Sequence, residues 1–459
     1  MSTVISKKLI DRAIESGIDV RNKSLYLPAV NASYAAVVDK QLPTDRTFPE
    51  GYSLKDLAFW SETSNLFQHP FCLLSVGHFE PFTDATNSIT ETSKNSRWLL
   101  ADSAGYQCGT GALAYPGLEE LKNKPDPFKA IKVYESALTE KTWQIMWLER
   151  NANYAMTLDC PPWAKLPKHK STPFHHNTFS QFLELTKQNL ELIRDIRTCD
   201  TRWVSVVQGF HPESTEAWIQ GIEEYDFCNG FALAGGSGAR GGLYSMLHSV
   251  LYLKERNLLN ADSHVLHALG VSTPFWSVVL TCIQQHLRNQ VSPDIVVTFD
   301  SSSPFLASGC YEDLILPPKL NLDKKTWSMI TVNCPQEAKY VGSTERFNYE
   351  TVFGDALQDG HLSVKPGEIE LKRFDSISNH ILAAIDLHSY LMTFQRANEL
   401  FEDSPDNLPA EFKQCIDVIN EAFSTSTWRD VLLRNKKLLD RAIPSDFYDV
   451  DGLLKVDWP

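Results

Sequence analysis

The feature that most restricts the fold is a series of eight short apolar runs, rich in β-branched and aromatic residues and separated by stretches of helical period. They cover residues 25–30, 71–76, 98–102, 154–159, 203–208, 231–235, 265–270 and 295–300. Most are apolar throughout, as parallel strands covered on both faces are. Between them, residues 178–197 show the helical period best, with Phe179, Phe182, Thr186, Leu190, Ile193 and Ile196 on one face. Eight such strands, starting roughly 27–57 residues apart, give the count of a (β/α)8 TIM barrel. A doubly wound sheet has the same periodicity and is the alternative. The strand ends favour the barrel: Asp102, Asp159, Gln208, Gly235, Gly270 and Asp300 close or follow these runs. A closed ring brings all six to one rim, whereas an open sheet gathers only those beside its switch point.

Beyond residue 305 the pattern changes. A mixed stretch with turn signals (LPPKLNLDKK, VKPGE) precedes a long amphipathic run at 376–401 and one or two more helices over 409–442. The expected organisation is α/β: a barrel over residues 1–305, a connecting segment over 306–375 packed on it, and an added helical C-terminal subdomain over 376–459. Composition sets outer limits. A 43% hydrophobic and 22% charged chain is not disordered throughout. Nine scattered cysteines without a CxxC pair suit free thiols in a reducing, cytoplasmic setting. The N-terminus lacks a signal-peptide pattern, and no apolar stretch is of membrane-spanning length, so no membrane partner is expected. The net charge of −14 argues against a nonspecific polyanion binder and requires that any nucleic-acid contact come from a local basic rim.

The strand-end carboxylates carry the chemistry. An Asp closing an apolar strand is often a cap, but three of them on one rim with Gln208 suggest a site. Paired carboxylates suit displacement at an anomeric carbon, one attacking and the other moving protons. Asp159 and Gln208 offer edges matched to a planar heterocycle with amide-like faces. The glycines in FALAGGSGARGG (231–242) let a ligand approach the backbone closely, and Tyr106 could stack on a base.

In chain order, DSAGYQ (102–107), LDCPPW (158–163), VVQG (206–209), GFALAGG (230–236), ALGVSTP (268–274) and TFDSSSP (298–304) resemble the blocks of the tRNA-guanine transglycosylases. The resemblance covers about 60% of the chain. It implies a (β/α)8 barrel that exchanges guanine for a 7-deazaguanine by double displacement. Asp300 would be the nucleophile on C1′ and Asp102 the acid/base at N9. Asp159, Gln208 and the backbone at Gly235 and Gly236 would read the base edges, with Ser103 adding a bond and Tyr106 and Leu269 sandwiching the ring. The target nucleotide would leave its stack to reach the pocket.

The departures are as informative. The family's CxCxxC-plus-His zinc site is absent after residue 305; Cys310 and Cys334 stand alone, and His388 has the helix context of the last ligand without its partners. No metal or other cofactor is therefore expected. Ser301, Ser302, Ser303 and Pro304 replace the Pro-Thr-Arg that follows the nucleophile in the family. Arg240 stands where bacterial tRNA enzymes carry a Glu that matches a cationic aminomethyl group, which favours a neutral nitrile substituent. Together these departures resemble the divergent branch that inserts 7-deazaguanines into DNA. The expected partners are then DNA and the base 7-cyano-7-deazaguanine (preQ0), with a helper ATPase as a further candidate. A tRNA enzyme of unusual periphery and a non-catalytic, nucleic-acid-binding partner subunit are the alternatives. The required basic rim is placed on Lys165, Lys168, Lys170, His175, His176 and Arg240. Trp143, Trp147 and Trp163 are expected in packing rather than as DNA wedges.

Overall fold

The computed structural model describes residues 4–42, 46–83, 85–198, 201–308, 313–315, 327, 329–333, 340–362 and 376–447. Eight parallel strands form one sheet: β1 (Leu25–Pro28), β2 (Phe71–Ser75), β3 (Trp98–Asp102), β4 (Tyr154–Met156), β5 (Arg202–Val207), β6 (Cys228–Leu233), β7 (Val265–Ala268) and β8 (Val296–Ser301). Their order is β1-β8-β7-β6-β5-β4-β3-β2. β1 pairs with β8 from Leu25–Thr298 to Pro28–Ser301, and a parallel bridge between Ala29 and Leu73 joins β1 to β2. There the Val30 N–H donates to the Leu73 carbonyl at 3.0 Å. That bridge closes the ring and decides between barrel and doubly wound sheet: the fold is a (β/α)8 barrel with a helical C-terminal region.

Two hydrophobic cores follow from the alternation of side chains along each strand. Inside the ring lie Leu25, Leu27, Phe71, Leu73, Trp98, Leu100, Met156, Val204, Val265 and Val296, together with Leu9 and Ala13. The last two belong to the helix Lys7–Glu15, which plugs the N-terminal end of the barrel. Outside, Leu99, Trp203, Val207, Leu266, Val297 and Phe299 pack under the surrounding helices. The predicted helix forms as Phe179–Ile196, started by a capping box. Gln181 N–H donates to Thr178 Oγ1 at 3.2 Å, and Thr178 N–H donates to Gln181 Oε1 at 2.9 Å. Its buried face carries Phe179, Phe182, Thr186, Leu190 and Ile193; Ile196, the last residue, is exposed.

After β8, the helix Ser376–Asp403 covers the seam between β8 and β1. Phe394 lies 5.0 Å from Tyr26 and 5.3 Å from Phe299, ring to ring, and Asn398 donates to Ser277 Oγ at 2.7 Å. This is the place of the eighth barrel helix. Ala410–Ser424 then stacks Phe412 on Phe275 of the helix Pro274–Gln290 at 3.8 Å. Trp428–Ala442 lies along Gly242–Glu255, with Trp428 5.0 Å from His248. Among the described residues no helix is long and apolar enough to cross a membrane.

Candidate active site

At the C-terminal end of the strands opens a cavity of about 620 Å³. Asp102, Tyr106, Asp159, Gln208, Gly235, Arg240, Leu269 and Asp300 all line it. Residues as far apart in the chain as Asp102 and Asp300 thus meet because parallel strands all end on the same rim.

Asp102 ends β3 beside Ser75, its register partner at the end of β2. Its Oδ2 accepts the Ala104 N–H at 3.2 Å. Burial raises its proton affinity above that of an ordinary carboxylate; Ser75 and the Ala104 amide oppose this, and the charge of Asp300 adds to it. Asp159 lies three residues beyond the end of β4, which stops at Met156 rather than continuing to residue 159. Its Oδ2 accepts from Gln208 Nε2 at 2.7 Å. Burial pushes its carboxyl up to about 7, against the Gln208 bond and with help from Asp102. The other end of the Gln208 amide, Oε1, is buried without a partner and so is an acceptor waiting for a donor.

Two glycines make room for this pair. A Cβ at Gly105 would stand 2.5 Å from Asp159 Oδ1, and one at Gly235, whose φ is +55°, would stand 2.8 Å from Gln208 Oε1. Gly236 is different. It is buried in the wall, donating its N–H to the Gly209 carbonyl at 2.8 Å, and a Cβ there would meet Phe210 backbone at 2.5 Å. Its role is packing, not contact with the cavity. Ser103 is buried and is not part of the cavity lining. Its buried hydroxyl lacks a hydrogen-bond partner, but it is near enough to Asp159 to favour the charged carboxylate.

Asp300, on β8, is 7% exposed. Its Oδ1 accepts from Gly270 N–H at 3.0 Å and from His267 Nε2 at 3.1 Å. His267 escapes sequence reasoning, because a lone His in the apolar run VLHALG reads as core. His78, Ser75 and Gln107, none of which ends an apolar run, line the cavity. Gln107 Oε1 is another buried acceptor without a partner, and its signal was its place in the DSAGYQ block.

At the mouth, Tyr106 is 69% exposed, with its ring 5.7 Å from that of Trp163. Trp163 continues to His169 at 4.8 Å. Burial lowers the His169 proton affinity first, then the positive fields of Lys168, Arg240 and His175 lower it further. His175 is likewise lowered by burial and then by His176, Lys170 and Lys165. The predicted basic residues therefore do gather on one loop beside Arg240. Only Arg240 reaches the cavity wall; Lys165, Lys168, Lys170, His175 and His176 stand back from it. Arg240 is also paired: its Nε donates to Asp446 Oδ2 at 3.0 Å, and its guanidinium lies 5.5 Å from the Phe447 ring. Of the tryptophans, Trp147 is buried against Phe79 at 4.7 Å and Trp143 stands 6.2 Å from Phe82, while Trp163 lines the cavity.

Among the described residues no group of three or more His, Cys, Asp and Glu side chains is placed to hold a metal. His388 is 5.2 Å from the Phe67 ring, and burial pushes its imidazole down to about 4. Cys310 and Cys334 lie outside the described residues.

No family model matches the chain, and no curated protein matches it. Among solved structures it is similar to the structure of N2152 from Neocallimastix frontalis, at 11% identity and a TM-score of 0.33, over 62% of this chain and 62% of that one. A likeness at that level carries no functional argument.

Proposed function

We propose that this chain is a guanine transglycosylase that exchanges guanine in DNA for 7-cyano-7-deazaguanine by double displacement. One observation carries the reading: two carboxylates, Asp300 and Asp102, share a cavity with a base-edge pair, Asp159 and Gln208. In the first step an oxygen of Asp300 attacks C1′, the C1′–N9 bond breaks, and its electron pair goes to N9, which takes a proton from Asp102. In the second step N9–H of the incoming base gives its proton to Asp102 and attacks C1′. The ester bond breaks and returns its pair to Asp300. Two inversions retain the β-linkage, and no external energy enters.

The raised proton affinity of Asp102 supports its role as acid, since a carboxyl that holds its proton nearer neutral pH is a better donor there. Asp159 and the free Gln208 Oε1 supply an acceptor edge for the ring N–H and amino donors of a guanine-like base. The choice of DNA over tRNA rests on the sequence departures described above. Arg240 is paired with Asp446, so its charge alone does not select the 7-substituent; the choice of a neutral nitrile rests on the replacement of the family's Glu described above. The target base must leave the duplex stack, and a helper ATPase would provide for that.

The test is exchange. Labelled 7-cyano-7-deazaguanine is incubated with the protein and either duplex DNA, single-stranded DNA or tRNA, and the nucleosides are analysed after digestion. Label in DNA supports the reading. Label in tRNA alone reassigns the substrate, and label in none of them points to the non-catalytic partner subunit. A requirement for single-stranded DNA indicates a separate opening activity.

A further inference from the structure

Inside the barrel, β7 and β8 run in register, with His267 beside Thr298. The inward-facing positions on β8 are Val296, Thr298 and Asp300, and those on β7 are Val265 and His267, followed by Leu269 just past its end. His267 and Thr298 therefore form the layer just below Asp300. All three are linked: His267 Nδ1 lies 2.8 Å from Thr298 Oγ1, and Nε2 lies 3.1 Å from Asp300 Oδ1. His267 and Thr298 are fully buried, so water does not compete for these bonds.

A carboxylate only accepts, so Nε2 carries the proton that goes to Asp300, and Nδ1 shares the second bond with the Thr298 hydroxyl, which can donate or accept. The ring is anchored at both nitrogens and cannot turn. Gly270 adds the second donor to the same oxygen, and its φ of +73° is a left-handed conformation that favours glycine. Both donors act on Oδ1. The other oxygen has no partner among the described residues, and Asp300 lines the cavity.

We propose that His267 is a positioning residue: it locks one oxygen of Asp300 so that the other is presented to C1′. The assignment rests on the transglycosylase reading above. A carboxylate free to rotate about its Cβ–Cγ bond spends little time in line with the breaking C1′–N9 bond, and misplacement by about 1 Å costs on the order of 10²-fold in rate. The base, read by Asp159 and Gln208 in the segments that follow β4 and β5, does not depend on this lock.

The experiment measures two quantities on the full chain: the single-turnover rate of covalent adduct formation with guanine-containing nucleic acid, read on denaturing gels, and the affinity for free 7-cyano-7-deazaguanine. His267→Phe keeps the volume and removes both bonds. Its adduct rate is expected to fall about 10²-fold with base affinity within about twofold. Thr298→Val, which frees only the far side of the ring, should lose about tenfold. His267→Gln, whose amide nitrogen reaches the place of Nε2, should recover part of the rate. An adduct rate unchanged in His267→Phe overturns the proposal. So does loss of rate, base affinity and thermal stability together in His267→Phe while Thr298→Val retains full rate, because that pattern marks a purely structural histidine. If the wild-type chain forms no adduct with DNA or tRNA although it binds the base, the transglycosylase reading itself fails, and the positioning role with it. That result is distinguishable from the others because it does not involve the variants.

Discussion

Asp159 is caught between burial, which favours its neutral form, and a bound base, which needs its charge. Because burial pushes it up to about 7, a base that donates N–H groups to it binds best to the ionised form. Base affinity is expected to rise from pH 5 to about 7 and then level off, as isothermal titration across that range would show; Asp159→Asn should bind weakly and lose the pH dependence. The sign for stability is opposite. The folded carboxyl keeps its proton to higher pH than the unfolded one, so this residue's contribution is greatest below the unfolded value of about 4 and is lost as pH rises through about 7. Asp159→Asn should therefore flatten the fall in thermal midpoint between pH 5 and 8. For the nucleophile, Asp300→Asn should abolish the covalent adduct while leaving base affinity within about twofold, and an adduct of wild-type yield would refute the role. Asp102, Asp159, Gln208 and Asp300 are legible in the sequence because a polar residue at the end of an apolar strand is conspicuous. His267 is not: its functional cue is a neighbour on another strand, which leaves no mark on periodicity.

At the scale of elements, the turn from β3 into the short helix Gly105–Thr110 sets the position of half the site. Ala104, its N-cap, has φ +70°, a left-handed conformation that costs a residue with a Cβ about 1 kcal/mol. Gly77, on the neighbouring loop, makes space for it: a Cβ at Gly77 would stand 2.8 Å from Ala104 Cβ and 2.9 Å from Gln107 Cδ. Gly77→Ala should shift the helix that carries Tyr106 and Gln107, lowering base affinity more than stability. The double variant with Ala104→Gly should recover part of the loss, a coupling readable in a double-mutant cycle. Gly105→Ala, with its Cβ 2.5 Å from Asp159 Oδ1, should displace that carboxylate and weaken base binding with the fold intact by circular dichroism. Strand positions and the main helices follow from local pattern, since burial on one face fixes the period. The end of β4 at Met156 does not: β5 runs on to Val207, but there the Thr157 side-chain oxygen accepts the Val206 N–H at 3.0 Å in place of a backbone carbonyl.

Across the whole molecule, a chain of charge −14 has to concentrate its positive residues if it is to hold a polyanion. The loop carrying Lys165, Lys168 and Lys170 lies beside Arg240, but the end of the last described segment brings Asp446 onto that arginine. Asp446→Asn should therefore tighten DNA binding at low salt and steepen the dependence of affinity on salt by about 0.9 in log–log slope, the equivalent of one more phosphate neutralised; an unchanged slope would place Arg240 outside the nucleic-acid path. The sequence by itself determined the number of strands and the polar residues at their ends, and favoured the barrel without deciding it, because hydrophobic period and strand count are local properties that add along the chain. Only the tertiary structure decided that the ring closes through Ala29 and Leu73, that the helix at 376–403 completes it, that His267 stands behind Asp300, and that Asp446 answers Arg240. Each of these depends on which distant segments become neighbours, and that is set by closure of the barrel and packing of its shell rather than by any local preference.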